Sequence, residues 1–157
     1  MPTHYGALVG ALLSAAVQTT LVPLALKGGS DRVFIRDRIT VDAAQNDLIS
    51  LGSLPSTAII NPTTSFIQFG DLGTSVTMDV GSAAAENALV AAADVATAAG
   101  SVGVLASVAI TDLWKPLWEL LGLSEDPGGF IELFAKLEGA NPASGTVAWQ
   151  ICGQDNR

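Results

Sequence analysis

Short apolar segments separated by turn residues recur along most of the chain, and this spacing constrains the fold more than any other feature of the sequence. Turn sequences at Asn61-Pro62-Thr63-Thr64 and Gly70-Asp71-Leu72-Gly73 each precede a predicted strand, Ser65 to Phe69 and Thr74 to Val80. Short strands repeated in this way favour an antiparallel sandwich or jelly roll. We therefore predict an all-β fold, an antiparallel β-sandwich of jelly-roll-like type with short helical insertions.

The clearest strand pattern lies between residues 32 and 41, where two kinds of side chain alternate. The apolar side chains occupy every second position and face one side: Val33, Ile35, Ile39 and Val41. Asp37 interrupts that apolar face. The opposite face carries the basic side chains and one aromatic ring: Arg32, Phe34, Arg36, Arg38 and Thr40. The pattern predicts a strand with one buried face.

The second half of the chain mixes predicted strands with two predicted helices. The alanine-rich segment Ser82 to Ala99 predicts a helix capped by Ser82. Val102 to Ile110 predicts one strand, and Pro116 to Gly122 brackets a short helix that ends at its glycine. Two further strands, Phe130 to Leu137 and Thr146 to Ile151, are predicted to close the chain as a hairpin.

The stretch from Tyr5 to Leu26 carries no charge and is long enough to raise the question of a membrane span or a signal peptide. Gln18, Thr19, Thr20 and Pro23 interrupt it, and no lysine or arginine precedes it. We predict instead an apolar N-terminal arm over residues 1–29, joined at Gly28-Gly29-Ser30 to a sandwich domain over residues 30–157.

Charged residues make up only 14% of the 157 residues, and the net charge is −8. So little charge leaves much of the surface apolar, which is expected when that surface is buried against other subunits. The scarcity of basic residues argues against nucleic-acid binding, because binding a duplex requires cations that displace condensed counterions. We therefore expect protein partners, no nucleic acid, no membrane and no small-molecule substrate.

Residues able to carry chemistry are sparse. His4 is the single histidine and Cys152 the single cysteine, so neither a hydrolytic triad nor a zinc site with short ligand spacing can be assembled. The adjacent carboxylates Glu125 and Asp126 adjoin a Pro-Gly turn, where Asp126 is expected to stabilise the turn through the backbone. We assign no catalytic, cofactor-binding or metal-binding residue and expect no enzymatic activity.

Six residues are candidates for a subunit interface. The basic face of the first strand could pair with carboxylates of a neighbouring subunit through bidentate guanidinium contacts, although an ordinary solvated strand face is the alternative. Two tryptophans four positions apart could pack on the sandwich or on a neighbour, or stack on sugar rings as in a lectin. The candidate residues are Arg32, Phe34, Arg36, Arg38, Trp114 and Trp118.

The C-terminal region resembles a family of small structural proteins of tailed-phage particles. The resemblance rests on the run from Pro116 to Leu123, the Asp126-Pro127-Gly128-Gly129 turn and the closing strands, with a weaker match at 77–81 and 88–94. Together these segments cover roughly half of the chain. The resemblance implies a non-enzymatic virion protein.

Within that family, a capsid decoration or cement protein fits best. Such a protein would bind and stabilise the major capsid protein lattice as a homotrimer on the outer surface of the virion, after passing through the host cytoplasm during assembly. A tail or head-tail connector component is the first alternative. A glycan- or receptor-binding β-sandwich module that uses Trp114, Trp118 and Trp149 is the second.

Overall fold

Two β-sheets pack face to face in the computed structural model, which describes residues 3–5, 32–41, 45–96 and 98–155. The strands are β1 (Thr3–Tyr5), β2 (Arg32–Thr40), β3 (Leu48–Pro55), β4 (Ala58–Ile60), β5 (Phe66–Phe69), β6 (Thr77–Ser82), β7 (Ala85–Asp94), β8 (Gly100–Gly103), β9 (Phe130–Glu138) and β10 (Thr146–Asp155). A single short helix, α1 (Leu117–Leu120), lies between β8 and β9 in this part of the chain. The predicted β-sandwich is confirmed.

The first sheet has the strand order β1-β3-β9-β6-β7, and the second has the order β2-β10-β5-β8 with β4 also paired to β10. All the pairings are antiparallel except β1 with β3, which is parallel. The chain crosses between the sheets repeatedly, so strands that are neighbours in sequence often lie in different sheets. Among the described strands, β2 lies at one edge of the second sheet and β7 at one edge of the first.

The core fills the space between the two sheets mainly with aliphatic side chains, together with the indole of Trp149. Its largest fully buried members are Trp149, Ile49, Leu51, Leu54, Ile60, Ile67, Leu72, Met78, Leu89, Leu117, Leu133 and Leu137. Trp149 satisfies its only polar group in this setting, since its Nε1–H donates to the carbonyl of Leu51 at 2.8 Å. The core therefore draws on both sheets and on α1.

The predicted alternation of β2 is confirmed. Val33 and Asp37 are buried, whereas Arg32, Phe34, Arg36 and Arg38 are exposed. The buried carboxylate of Asp37 accepts the backbone N–H of Arg38 at 2.8 Å. The basic side chains of this strand thus project from the outer face of the second sheet, away from the core.

The predicted helix at Ser82 to Ala99 is wrong. This segment forms most of a hairpin in which β6 pairs with β7 and Ser82 lies opposite Ala85. Alanine favours helix intrinsically, but propensity is a weak influence compared with burial. Here Leu89 and Val90 enter the sandwich core, and pairing with β6 satisfies backbone groups of the segment at the same time.

The predicted strand from Val102 to Ile110 is also wrong beyond its first residues. Only Gly100–Gly103 is extended, paired with β5 as β8. Val104 and Leu105 then turn into the core, and backbone bonds between residues three apart continue the turn, such as Val108 N–H to the Leu105 carbonyl at 3.1 Å. Residues 104–116 therefore form a loop, which carries Trp114.

The last two strands do not form the predicted closing hairpin. β9 lies in the first sheet between β3 and β6, and β10 lies in the second sheet between β2 and β5. The connection over residues 139–145 crosses the sandwich and is held by backbone bonds, including Ala143 N–H to the Leu72 carbonyl at 2.7 Å. The positions of the two strands were predicted, but the apolar pattern of a strand does not specify its pairing partner.

The short helix ends as predicted at Gly122, which has a φ of 70°. The N–H of Leu123 reaches back to the carbonyl of Trp118 at 3.1 Å, and that of Gly122 to the carbonyl of Glu119 at 3.0 Å. These two bonds form a Schellman motif, which requires a residue in the left-handed region. The following turn also behaves as predicted, since Asp126 Oδ1 accepts the N–H of Gly128 at 2.9 Å.

The predicted N-terminal arm, residues 1–29, lies almost entirely outside the described residues. Only the backbone of Thr3–Tyr5 is described there, as β1 paired with β3. Among the described segments, no helix is long and apolar enough to cross a bilayer.

Candidate interaction surface

The outer face of β2 presents three guanidinium groups and a phenyl ring to solvent. The strand is held in place by β10, whose residues pair with it from Thr146 opposite Thr40 to Gln154 opposite Arg32. Phe34 is 61% exposed, although it lies in the middle of a regular strand. A single exposed apolar side chain is ordinary, but a contiguous group of them is a feature of contact surfaces.

The arginines of β2 differ from the other described basic residues in their charge environment. Lys115 pairs with Asp112 at 3.0 Å, and Lys136 pairs with Glu86 at 2.6 Å and Glu138 at 2.9 Å. Hydrogen bonds to Glu86 and then Glu138 raise the pKa of Lys136 well above its ordinary value. By contrast, the guanidinium groups of β2 have no carboxylate within ion-pairing distance anywhere in the described segments.

An open groove of about 590 Å³ lies at the end of β2. Arg32 and Phe34 form part of its wall, and Trp114 reaches it from the loop over residues 104–116. The remaining wall comes from β4, the turn after it and β10: Val33, Ile59, Ile60, Asn61, Pro62, Thr63, Cys152, Gly153 and Gln154. The groove combines an apolar floor with a few polar groups at its rim.

Trp114 is 76% exposed, so it contributes little to the core of its own chain. Lys115, which follows it, pairs with Asp112 and helps to hold the loop in shape. The loop therefore presents an indole at the groove without burying it.

The turn after β4 forms the polar rim of the groove. Asn61 Oδ1 accepts the backbone N–H groups of Thr63 at 2.9 Å and Thr64 at 3.3 Å, which fixes the turn as an Asx-type turn. Just before β5, the hydroxyl of Ser65 accepts the N–H of Cys152 and donates to the carbonyl of Cys152, both at 3.0 Å. The rim thus has a defined backbone geometry.

Cys152 is a free, half-buried thiol in the wall of this groove, rather than a fully buried core residue. It lies opposite Phe34 in the pairing of β2 with β10. In the described part of the chain, no group of three histidine, cysteine, aspartate or glutamate side chains is placed to hold a metal ion.

The six interface candidates fall into three places in the structure. Arg32, Phe34 and Trp114 come together at the groove, although they lie far apart in the sequence. Arg36 and Arg38 extend the same face of β2 beyond it. Trp118 lies elsewhere, half-buried on α1, where its backbone N–H donates to the carbonyl of Ser56 at 3.1 Å.

Sequence reasoning did not single out two other exposed apolar residues, Ile110 and Phe130, which are 81% and 52% exposed. Ile110 was assigned to a predicted strand that is in fact a loop. Phe130 begins β9, next to the predicted turn at Gly128 and Gly129, and its position beside that turn was the available signal.

The described residues thus define a two-sheet β-sandwich with a basic edge strand and an adjacent aromatic groove. Two solved structures share this fold. A chain of the cyanophage Pam1 capsid asymmetric unit is 16% identical, with a TM-score of 0.55 over 81% of this chain and 86% of that one. A chain of the capsid of Ralstonia phage GP4 is 19% identical, with a TM-score of 0.54 over 83% and 86%. No protein-family model and no curated protein sequence matches the chain.

Proposed function

We propose that the chain is a non-enzymatic structural protein of a tailed-phage virion. The observation that carries the proposal is the shared sandwich, which spans 81% and 83% of this chain in the comparisons with the two phage capsid structures. The C-terminal resemblance to phage particle proteins supports the same conclusion independently of the fold. The low content of charged residues, 14%, suits a protein whose surface is largely covered in an assembly.

Within the virion, we propose the role of a decoration or cement protein that binds the major capsid protein as a homotrimer. The net charge of −8 makes contact with packaged DNA unfavourable and favours the outer surface of the shell. The exposed aromatic groove and the arginines of β2 supply a surface for a protein partner. Trp and Arg are enriched among the residues that dominate protein interfaces.

The experiment is co-expression of the chain with the major capsid protein encoded in the same genome, followed by cryo-electron microscopy of the shells with a label fused to the chain. A decoration protein gives labelled density on the outer surface at three-fold positions, and light scattering of the free protein gives a trimer. Density confined to the portal or tail, with ring-shaped oligomers in solution, would establish the connector alternative instead.

A second candidate function, glycan binding, draws support from Trp114. An indole that is 76% exposed beside the polar groups of Asn61, Thr63 and Gln154 could stack on a sugar ring. The test is tryptophan fluorescence on a panel of glycans, with Trp114→Phe as the reference that leaves Trp118 and Trp149 in place. A signal that disappears in this variant would favour the glycan-binding function.

A further inference from the structure

Basic side chains are distributed unevenly over the molecule. Five of the seven lysines and arginines lie in the described segments, since only Lys27 and Arg157 fall outside them. Of these five, the two lysines pair with carboxylates of the same chain. The three arginines of β2 lack such partners among the described residues, although the chain has 15 acidic residues. A cluster of unpaired guanidinium groups on an acidic protein is suited to an acidic partner.

The two edge strands β2 and β7 differ in how their outer backbone groups are used. Along β7, the loop after β8 covers the edge: the N–H of Ser107 donates to the carbonyl of Leu89 at 3.0 Å, and its hydroxyl accepts the N–H of Ala91 at 2.8 Å. Along β2, β10 pairs with one edge over the whole strand, and no other described strand pairs with the opposite edge. An edge of this length is a template for adding another strand.

The side chains of β2 would contact the side chains of an added strand as cross-strand pairs, and these contacts would determine which sequences bind. Residues directly opposite one another on neighbouring antiparallel strands have Cβ atoms about 5 Å apart and interact pairwise. Arg32, Arg36 and Arg38 would each face one residue of the added strand, and Phe34 would face another beside the groove. Because all four share one face, the added strand is selected at alternate positions.

We propose that the outer edge of β2 binds an extended acidic segment of a neighbouring virion protein, which adds a strand to the second sheet. In the antiparallel orientation the segment carries, in order, two acidic residues, an apolar residue and a third acidic residue, at alternate positions. The apolar residue faces Phe34 and enters the groove beside Trp114. This inference deepens the proposed function and rests on it only for the location of the partner in the virion.

A second copy of this chain fits the edge less well. Pairing two β2 strands through their free edges would bring the arginines of one copy beside those of the other, and like charges at such positions are destabilising. A heterologous acidic partner removes that repulsion and allows bidentate guanidinium-carboxylate contacts instead. Charge complementarity therefore favours a different protein over self-association at this edge.

The test uses the full-length protein and a synthetic peptide as long as β2, with the sequence Thr-Thr-Glu-Thr-Glu-Thr-Leu-Thr-Glu and a fluorescent label. Its reversed sequence serves as the probe for parallel pairing. We expect saturable binding that weakens as salt is added, because exposed charge pairs are screened. One control peptide has lysine in place of glutamate. A second has alternate backbone nitrogens methylated, which removes strand pairing without changing the side chains.

Matched variants assign the contacts. Arg36→Gln is expected to weaken binding about two- to fivefold, the size of one cross-strand charge pair. Phe34→Ala is expected to weaken it about fivefold or more, as for an apolar anchor in an interface. In the charge exchange, Arg36→Glu binds the glutamate peptide poorly and regains binding when the facing glutamate of the peptide is replaced by lysine. This rescue reports on register and would not follow from general electrostatic attraction.

Four results would overturn the inference. The peptide could fail to bind in both orientations, or bind equally well when its backbone is methylated. Hydrogen exchange could show that the β2 amides are already protected along the free edge in the protein alone. Binding could be displaced by glycans, which would assign the surface to sugars. Each of these leaves the proposed function standing if the chain still decorates shells, whereas peptide binding without decoration would refute the decoration role and keep the inference.

Discussion

Trp149 and Trp114 are the same kind of side chain used in opposite ways. Trp149, in the middle of β10, is 2% exposed and donates its Nε1–H to the carbonyl of Leu51 in the other sheet. Trp114, in the loop after β8, is 76% exposed and lines the groove beside Arg32 and Phe34. The first indole joins the two sheets of the sandwich, whereas the second contributes little to the fold.

One face of the second sheet packs into the core and stabilises the fold. The outer face, together with the loop that carries Trp114, presents exposed residues that the fold does not require. A large aromatic side chain at the surface gains little hydrophobic stabilisation there, and it raises the risk of aggregation. Trp114 and Phe34 are therefore the best candidates for residues retained for an interaction. If this is so, substitutions of core residues should lower stability much more than substitutions of exposed residues at the groove.

The largest expected effect follows from removing Trp149. Trp149→Ala leaves a cavity between the sheets and removes the donor to Leu51, so we expect it to lower the free energy of unfolding by about 3–5 kcal/mol. Urea denaturation measures the loss. Trp149→Phe retains most of the apolar volume without the N–H and should lie between wild type and the alanine variant. Equal stability of Trp149→Ala and Trp114→Ala would show that the two tryptophans do not differ in their contribution to the fold.

The next largest effect concerns α1. A helix this short is not stable alone, so it depends on packing. Leu117 is fully buried, whereas Trp118 is only half-buried. We expect Leu117→Ala to cost about 2–5 kcal/mol and Trp118→Ala about 1–2 kcal/mol, measured in the same urea series. The reverse order would make Trp118 the principal anchor and Leu117 secondary.

Much of the sandwich could be predicted from the sequence because a strand with one buried face alternates. β2 was located by that alternation, and β5 and most of β10 were located as apolar segments near turn residues. The short helix was located by Pro116 and Gly122. These signals are local, and each depends on a few neighbouring residues.

The features that could not be predicted depend on distant parts of the chain. β7 was predicted as helix because its alanines favour helix, while its actual structure depends on pairing with β6, which is itself paired with β9 on its other side. The groove joins Phe34 to Trp114 only because β10 lies between β2 and β4 in the second sheet. Arg32, Phe34 and Trp114 were proposed individually as interface residues, but their meeting follows from strand order, which the alternation of side chains does not specify.

Lys136 extends the comparison from aromatic to basic side chains. Its ion pairs with Glu86 and Glu138 contribute to the stability of the fold, so Lys136→Met should lower the free energy of unfolding by about 1 kcal/mol. Arg36→Gln should lower it by less than about 0.5 kcal/mol. Both glutamates are partly exposed, which limits the effect by solvent screening.

The pH dependence of the Lys136 contribution has a definite sign. Its pKa is raised on folding above the ordinary value of 10.5, because the carboxylates of Glu86 and Glu138 stabilise the charged form. The stabilisation is therefore complete below pH 10.5 and is lost as the pH rises through the higher folded-state pKa. Urea midpoints of wild type and Lys136→Met should converge as the pH is raised above 10.5. A constant difference would show that the contribution of the lysine does not depend on its charge.

The smallest expected effect on stability is that of Trp114→Ser, and it tests the comparison most directly. Because the indole is 76% exposed, its removal should change the free energy of unfolding by less than about 0.5 kcal/mol. If the groove binds a partner on the shell, the same change should weaken decoration about fivefold or more, since buried interface tryptophans contribute strongly to affinity. Sedimentation of shells with increasing amounts of wild type and variant measures this loss.

Ile110→Ser is the matched control, since Ile110 is 81% exposed in the same loop but does not line the groove. A stability loss of several kcal/mol would place Trp114 on the structural side after all, and equal weakening by Ile110→Ser would assign the contact to the loop as a whole rather than to the groove.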